Sequence, residues 1–190
     1  MADIQIRPQR ADARRNRDLL LDAAVRAFAA DGAEVTLDAI ARAAGVGIGT
    51  LYRHFPTREA LVEAAYRQEL ARLCDAVPEL LGSQPPDRAL RAWMDRFIDY
   101  MTTKRHMKAA LHAVIASGGN PFAESRNLLT SALTALLDAG AAAGTLRPDI
   151  APADVLAALS GVTLAAGEPD QRDQAGRLLD LLADGLRHRG

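Results

Sequence analysis

Residues 45–55 read GVGIGTLYRHF, with glycines at the first, third and fifth positions. Glycines at such spacing can cradle the phosphates of a nucleotide when they follow a buried strand and open a helix. The residues before them, TLDAIARAAG at 36–45, instead carry apolar side chains at three- and four-residue spacing, which predicts a helix. A dinucleotide fingerprint would also need a glycine where Thr50 or Tyr52 stands, and the Walker sequence Gly-Lys-Ser/Thr is absent. A nucleotide-binding enzyme that uses residues 45–49 is therefore the weaker interpretation.

The same stretch predicts two short helices joined by a tight turn. The hydroxyl of Thr36 can accept a hydrogen bond from the first turn of a helix that runs through Ala44. That helix stops at Gly45, where a positive φ has no steric cost. Gly47 opens the next helix, which ends around Phe55. Two short helices with a three-residue turn that contains glycine are typical of a helix-turn-helix.

A helical wheel separates an inner from an outer side of the second short helix. With Leu51 on the inner side, Phe55 and Ile48 fall within about 60° of it. Gly49 and Arg53 lie on the outer side of the helix. Thr50 and Tyr52 lie between the outer and the inner side, and His54 lies at the inner edge near the helix end. A glycine and an arginine beside a threonine suit base edges in a major groove, and a phenol and an imidazole suit phosphate oxygens. A glycine inside a helix costs about 1 kcal/mol relative to alanine, and close approach of a ligand would explain it.

The composition of the chain favours an all-α protein. Of its 190 residues, 49% are hydrophobic and only 4% are aromatic, so the core must consist largely of aliphatic helix formers. The alternation of Val, Ile, Thr and Tyr that marks strands is absent. The length allows one large domain or two small ones.

The distribution of charge is more informative than the net charge of −1, which alone argues against a general nucleic-acid binder. Residues 7–17 contain five arginines and the single acid Asp12. Between Asp38 and Glu59 there are three arginines and no acid. Arginines of the first run could reach flanking phosphates or the minor groove of bound DNA.

Targeting and redox signals are sparse. Residues 1–17 are polar and lack the apolar segment of a secretory signal. The most apolar long stretch, at 155–167, is shorter than the roughly 20 residues that span a bilayer. Cys74 is the only cysteine, so an internal disulfide is impossible. We expect a cytoplasmic protein without a membrane-spanning segment.

Residues 36–61, TLDAIARAAGVGIGTLYRHFPTREAL, resemble the DNA-binding signature of TetR/AcrR-type transcriptional regulators. The combination AGVxxGTLYxHF is far longer than a generic helix-turn-helix pattern. The resemblance implies an N-terminal domain that binds a double-stranded DNA operator. Where the family usually opens its recognition helix with Ser or Thr, this chain has Gly47, which leaves a backbone N–H contact possible. The resemblance further implies phosphate contacts from Thr36, Tyr52, His54 and Arg58, and base or close contacts from Ile48, Gly49, Thr50 and Arg53.

The remainder of the chain is predicted to be helical, with domains at 1–58 and 59–190. A helix from Glu59 is expected to end near Val77, because Pro78 follows and SQPPD stands at 83–87. The other helices are predicted from their apolar stripes and capping glycines to lie near residues 12–32, 87–103, 106–117, 122–143, 153–166 and 170–187.

The resemblance implies that the C-terminal helices enclose a small-molecule pocket and that the last two pack against a partner subunit to form a homodimer. The stretches TKRHMKAAL and NPFAESR are similar to an SbtR-like C-terminal subgroup. Large, adaptable side chains suit an apolar pocket, and an apolar effector is expected. The candidate effector-binding residues are Trp93, Phe97, Tyr100, Met101, Met107, Leu111, His112 and Phe122.

Catalysis finds little support in the sequence. His106 and His112 are six residues apart, off a common helix face, and no cluster of Cys, His and carboxylates has the spacing of a metal site. We therefore expect no catalytic residues, no metal and no cofactor. The favoured hypothesis is a ligand-responsive, sequence-specific transcriptional repressor, and a non-specific architectural DNA-binding protein is a further alternative.

Overall fold

The computed structural model describes residues 6–31 and 34–188 and is built from α-helices. The described residues include no β-strand, so the all-α class predicted from the sequence is confirmed. A short 3-10 turn at Pro169–Gln171 precedes the last helix. In chain order the helices are α1 (Ile6–Asp31), α2 (Leu37–Ala43), α3 (Ile48–His54), α4 (Arg58–Ser83), α5 (Pro86–His106), α6 (Lys108–Ala116), α7 (Ser125–Ala142), α8 (Pro152–Ala165) and α9 (Arg172–Leu186).

The chain forms two compact units. The first contains the described residues up to Gln68 together with Thr103–Pro121. In it α1 packs against α2 and α3, and α2 packs against α3. The core of this unit consists of completely buried aliphatic and aromatic side chains: Leu20, Leu21, Phe28, Ile40, Leu51 and Leu61.

The first helix begins earlier than the predicted start near Asp12. It runs from Ile6, so Pro8 lies in its first turn. Backbone N–H groups in the first turn have no acceptor within the helix, so the missing N–H of a proline costs nothing there. The predicted capping residue Gly32 lies outside the described residues.

The predicted break at Pro78 is wrong, because α4 continues through it to Ser83. A proline inside a helix costs about 3 kcal/mol, since it removes one hydrogen bond and crowds the preceding turn. Val77 and Leu80 on either side of it are buried, and burying such side chains contributes about 1.5–3 kcal/mol each. Their packing is sufficient to offset the proline, and the chain leaves the helix only before Pro85 and Pro86.

The second unit contains Glu69–Thr102 and the described residues from Phe122 onward. Here α7 packs on α8, and α8 packs on α9. Arg91 on α5 donates from Nε to Asp180 on α9 at 2.7 Å, and from Nη2 to the Gly176 carbonyl at 3.2 Å. These bonds hold α9 against α5.

The remaining helices lie within a few residues of their predicted positions. The predicted end of α7 at Gly144 is confirmed, since this glycine has a φ of 68°. No helix in the described ranges combines the length and the apolar character that crossing a bilayer requires.

Candidate nucleic-acid interface

The turn between α2 and α3 is specified by local hydrogen bonds. The Thr36 hydroxyl accepts from the Ala39 N–H at 3.2 Å and caps α2, as predicted. At the other end of α2, the Gly45 N–H donates to the Arg42 carbonyl and the Val46 N–H donates to the Ala41 carbonyl. This pattern of hydrogen bonds needs a residue in the left-handed backbone conformation, and Gly45 adopts it with a φ of 66°. The turn therefore sets where α3 begins.

The third helix has one buried and one exposed side. Leu51 is completely buried and Phe55, which ends the helix, is almost completely buried. On the opposite side Gly49 and Arg53 are exposed, and Tyr52 exposes 50% of its surface. No described residue forms an ion pair with Arg53 or a hydrogen bond with the Tyr52 hydroxyl. Among the residues that the structure describes, this outer face therefore presents a guanidinium without an ion-pair partner and a phenol without a hydrogen-bond partner.

Ile48 is exposed, so its assignment to the inner side of α3 by the helical wheel was wrong. It exposes 38% of its surface. Ile48 is the first residue of α3, where the side chain extends from the end of the helix and is covered less than one a turn later. This exposure is compatible with the DNA contact that the family resemblance implies, which stays a prediction.

Gly49 has no steric reason within the described structure to be glycine. A Cβ added at this position would meet nothing within 4 Å, and its φ is not positive. An alanine would also favour the helix by about 1 kcal/mol. The missing side chain leaves room on the outer face of α3, where another molecule could approach the helix backbone.

Arg58, predicted to bind a phosphate, is engaged inside the first unit. Its Nη1 donates to the Val35 carbonyl, and its guanidinium lies 5.0 Å from the centre of the Phe28 ring. A cation held over an aromatic face and bonded to a carbonyl stabilises the packing of the helices around it. Arg58 therefore has a structural function in this domain, and its predicted phosphate contact remains a prediction.

The other predicted DNA-binding residues lie at the ends and edges of the helix-turn-helix. Thr36 is exposed, and Thr50 and His54 are half-buried. Gly47 caps α3 with extended backbone and no side-chain hydrogen bond. One residue that the sequence interpretation did not single out is Arg17, whose guanidinium lies 5.6 Å from the Phe55 ring. Its membership of the basic run at 7–17 was the only signal for it.

The glycine stretch at 45–49 does not have the geometry of a phosphate loop. It follows α2, a helix, whereas a dinucleotide-binding or Walker loop follows a strand. Within the described residues, no three His, Cys, Asp or Glu side chains are arranged to hold a metal ion. Burial and the neighbouring Asp75 raise the pKa of Cys74 to about 11. The Cys74 thiol is therefore protonated at neutral pH, which disfavours a function as a redox sensor.

The candidate effector residues are divided between the two units. In the second unit, Trp93 and Phe97 stack with their ring centres 5.8 Å apart, and Tyr100 lies 6.2 Å from Phe97. All three are buried, and the indole N–H of Trp93 donates to the Leu73 carbonyl at 2.9 Å. Met101 and Phe122 of the same unit are half-buried. In the first unit, Met107 and Leu111 are buried whereas His112 is exposed.

Comparison with known proteins gives the chain a family. Residues 20–65 match the family described as bacterial regulatory proteins, tetR family. Residues 85–188, more than half of the chain, match the C-terminal domain of SbtR-like transcriptional regulators. The first match contains the helix-turn-helix, and the second contains α7, α8 and α9.

Relatives match over nearly the whole chain. The TetR transcriptional regulator SCO0520 from Streptomyces coelicolor is 61% identical with a TM-score of 0.88, covering 92% of this chain and 99% of that one. A TetR transcription regulatory protein from Mycobacterium vanbaalenii is 33% identical with a TM-score of 0.76, and the match covers 95% of this chain and 99% of that one. The transcriptional repressor AcnR of Corynebacterium diphtheriae is 28% identical over 177 residues, 90% of this chain and 91% of AcnR. The chain therefore belongs to the TetR family of bacterial transcriptional regulators, which bind operator DNA as dimers and are not a family of enzymes.

Proposed function

We propose that this regulator is a repressor that reads its operator with the outer face of α3 and is released from it by a small molecule. The observation that carries the proposal is the division of α3 between buried Leu51 and the exposed face of Gly49, Tyr52 and Arg53. Residues 1–58 would form the reading domain, and residues 59–190 would bind the effector and dimerise. The protein would act on chromosomal DNA in the cytoplasm.

Each side chain of the outer face suits one part of the DNA. The Arg53 guanidinium would reach base edges in the major groove, where arginine can bond both acceptors of a guanine. The missing side chain at Gly49 would let the helix backbone come close to the bases, with Ile48 and Thr50 beside it. The phosphates of the two strands that border the major groove would be bound by Thr36, the Gly47 N–H, Tyr52, His54 and Arg58.

Repression is favoured over activation by one relative. AcnR, which aligns with 90% of this chain, is named a transcriptional repressor. A repressor needs only to occupy its operator, so the DNA-binding surface and the dimer suffice for the activity. We infer the same direction of control for this protein.

The dimer would form through α8 and α9. On α8 the exposed residues Ala157, Ala158, Gly161, Leu164 and Ala165 recur at the spacing of one helix face, on which Asp154 in the first turn is the one exposed charge. Leu164 exposes 88% of its surface, and Leu181 on α9 exposes 70%. A helix whose outer face is apolar beyond its first turn normally buries that face against another element. A second copy of the chain would bury this face and place two α3 helices on paired half-sites.

The effector would be mostly apolar, neutral or weakly cationic. The aromatic stack of Trp93, Phe97 and Tyr100 supports an apolar ligand on the α5 side. Met101 and Phe122 are half-buried in the same unit and could adapt to it, while Met107, Leu111 and His112 belong to the other unit. Tyr100 or His112 would orient the ligand.

Equilibrium binding to the DNA upstream of the gene itself tests this function. The purified protein would be titrated into labelled upstream duplex, a shuffled duplex of the same composition, and a labelled adenine nucleotide. We expect binding to the upstream DNA at least about 10³-fold tighter than to the shuffled duplex, a ratio typical of specific regulators. Equal affinity for the two duplexes would instead support a non-specific architectural protein. Tight binding of the nucleotide alone would support the enzyme interpretation.

A further inference from the structure

Helices α5 and α9 are joined by a row of charged side chains. This salt-bridge network consists of Arg91, Asp95 and Asp99 on α5 and of Arg172 and Asp180 on α9. On α5 its members recur at every fourth residue, and on α9 they are eight residues apart, so on each helix they fall within about 80° of one another. All five residues belong to the second unit. One face of each helix is therefore bonded to the other helix.

The two arginines of the salt-bridge network share one carboxylate. Besides its bonds to α9, Arg91 donates from Nη1 to Asp95 on its own helix. Asp95 also accepts from Nη1 of Arg172 at 3.2 Å, and Nη2 of the same arginine lies 3.4 Å from Asp99. Each arginine thus contacts at least two acceptors. Charges connected in this way hold a more defined geometry than the isolated ion pairs of a protein surface.

The salt-bridge network leaves another side of α9 open to solvent. Leu181 lies about 140° around the helix from the middle of the network and exposes 70% of its surface. The buried side of α9 is formed by aliphatic residues that include Ala175, Leu179 and Ala183. Apolar packing has no preferred direction and permits a helix to turn about its axis, whereas the forked hydrogen bonds of arginine require a defined geometry. The salt-bridge network therefore sets the rotation of α9 and with it the direction of Leu181.

We propose that Arg91 and Arg172 are positioning residues for the dimer, because they hold α9 at the rotation that presents Leu181 to a second copy of the chain. The inference rests on the proposed dimer through α8 and α9, and it adds residues that act through α9 without touching the partner. Both subunits must present α9 correctly. The Kd of the dimer therefore rises with the inverse square of the correctly oriented fraction, and a fall of that fraction to about one third raises the Kd about tenfold.

The test compares Arg172→Glu with its matched control Arg96→Glu in the full-length protein. The two arginine side chains are 41% and 43% exposed, and Arg96 pairs with Glu79 on α4 at 3.9 Å, outside the salt-bridge network. Sedimentation measures the Kd of the dimer, and far-UV circular dichroism at lower concentration measures the helical content of the monomer. Arg172→Glu places a carboxylate beside Asp95 and Asp99, so it should raise the Kd about tenfold or more and retain the helical content. Arg96→Glu should change the Kd by less than about threefold.

A charge exchange makes the result specific to the salt-bridge network. Adding Asp99→Arg to Arg172→Glu restores an ion pair of reversed polarity and should return the Kd to within about threefold of that of the natural protein. Arg172→Gln removes the charge without adding repulsion and should raise the Kd by a smaller factor, so it decides the question if the charge reversal unfolds the monomer.

Two results would overturn the positioning function and leave the dimer itself intact. One is a Kd for Arg172→Glu and Arg172→Gln no higher than that of Arg96→Glu, and the other is a double variant whose Kd does not recover. A natural protein that stays monomeric at every accessible concentration would instead contradict the proposed dimer on which the inference rests.

Discussion

Gly49 is a residue at which fold stability and DNA binding make opposite demands. The position is helical, its φ is not positive, and a Cβ there would touch nothing in the described structure. Every intramolecular consideration therefore favours alanine, by about 1 kcal/mol. A residue that is locally unfavourable and faces outward is expected where a functional surface needs the space.

Gly49→Ala should consequently stabilise the protein and weaken its function. We expect the free energy of unfolding to rise by about 0.5–1 kcal/mol. Operator affinity should fall by about tenfold or more, because the methyl group would separate α3 from the base edges. Urea unfolding and operator titration measure the two effects. Gly82→Ala, at another helical glycine whose Cβ would meet nothing, is the matched control and should leave operator affinity unchanged.

Single residues were predictable from sequence where their reasons are local. The Thr36 cap and the Gly45 turn follow from chemistry within a few residues of each, and both are present as predicted. The exposure of Ile48 and the contacts of Arg58 depend instead on which residues lie beside them in the folded structure. The carbonyl of Val35 and the ring of Phe28, far from Arg58 in sequence, decide how its guanidinium is used.

At the scale of elements, α8 has an exposed face that is largely apolar. Its buried residues include Val155 and Leu159, yet beyond Asp154 in the first turn the opposite face carries only apolar and small side chains. Such a helix in a monomer would leave an apolar surface in water, which soluble proteins rarely do outside an interface. The element itself therefore favours a partner on α8 and α9.

Leu164→Asp combined with Leu181→Asp should convert the dimer to a monomer. Both side chains are exposed in the single chain, so the substitutions should change the stability of the monomer by less than about 0.5 kcal/mol each. In the dimer they would bury carboxylates without partners. Sedimentation velocity measures the oligomeric state, and operator binding should weaken with it. Ile115→Asp, at an exposed apolar residue of α6, should leave a dimer, and a dimer that survives the double substitution would locate the interface elsewhere.

Helix positions were predictable from apolar periodicity, but the continuity of α4 was not. Proline signals a helix end when only local propensity is considered, and the sequence interpretation ended this helix before Pro78. The buried neighbours Val77 and Leu80 reverse that result through tertiary packing. The low helix propensity of a proline is therefore outweighed where the residues on both sides of it are buried in a core.

At the scale of the whole molecule, an effector can release DNA only by preferring the protein conformation that does not bind the operator. The sequence could indicate the candidate residues on α5 and α6 but not separate pocket from core, because the same apolar stripes serve both. Trp93, for example, is buried and bonded to a backbone carbonyl, as a pure core residue would be. The distinction needs a measurement of coupling between sites.

Trp93 provides that measurement because it is the only tryptophan. A panel of neutral and weakly cationic aromatic compounds would be titrated while the emission of Trp93 is recorded, with and without operator. Any compound that releases DNA should bind the DNA complex more weakly than the free protein, by the factor with which it weakens operator binding. A compound that displaces the operator yet binds both forms with equal affinity would contradict the mechanism.

The central claim, that the outer face of α3 reads base sequence, is tested most directly by Arg53→Ala beside Arg42→Ala. Both arginines are exposed in the helix-turn-helix, but Arg42 lies on α2 and is paired with Asp38. Affinities for operator and shuffled DNA would be measured for each variant at one salt concentration. Arg53→Ala is predicted to reduce the preference for operator by about 1–3 kcal/mol, whereas Arg42→Ala should change both affinities by the same factor. Equal losses on operator and shuffled DNA for Arg53→Ala would contradict the claim.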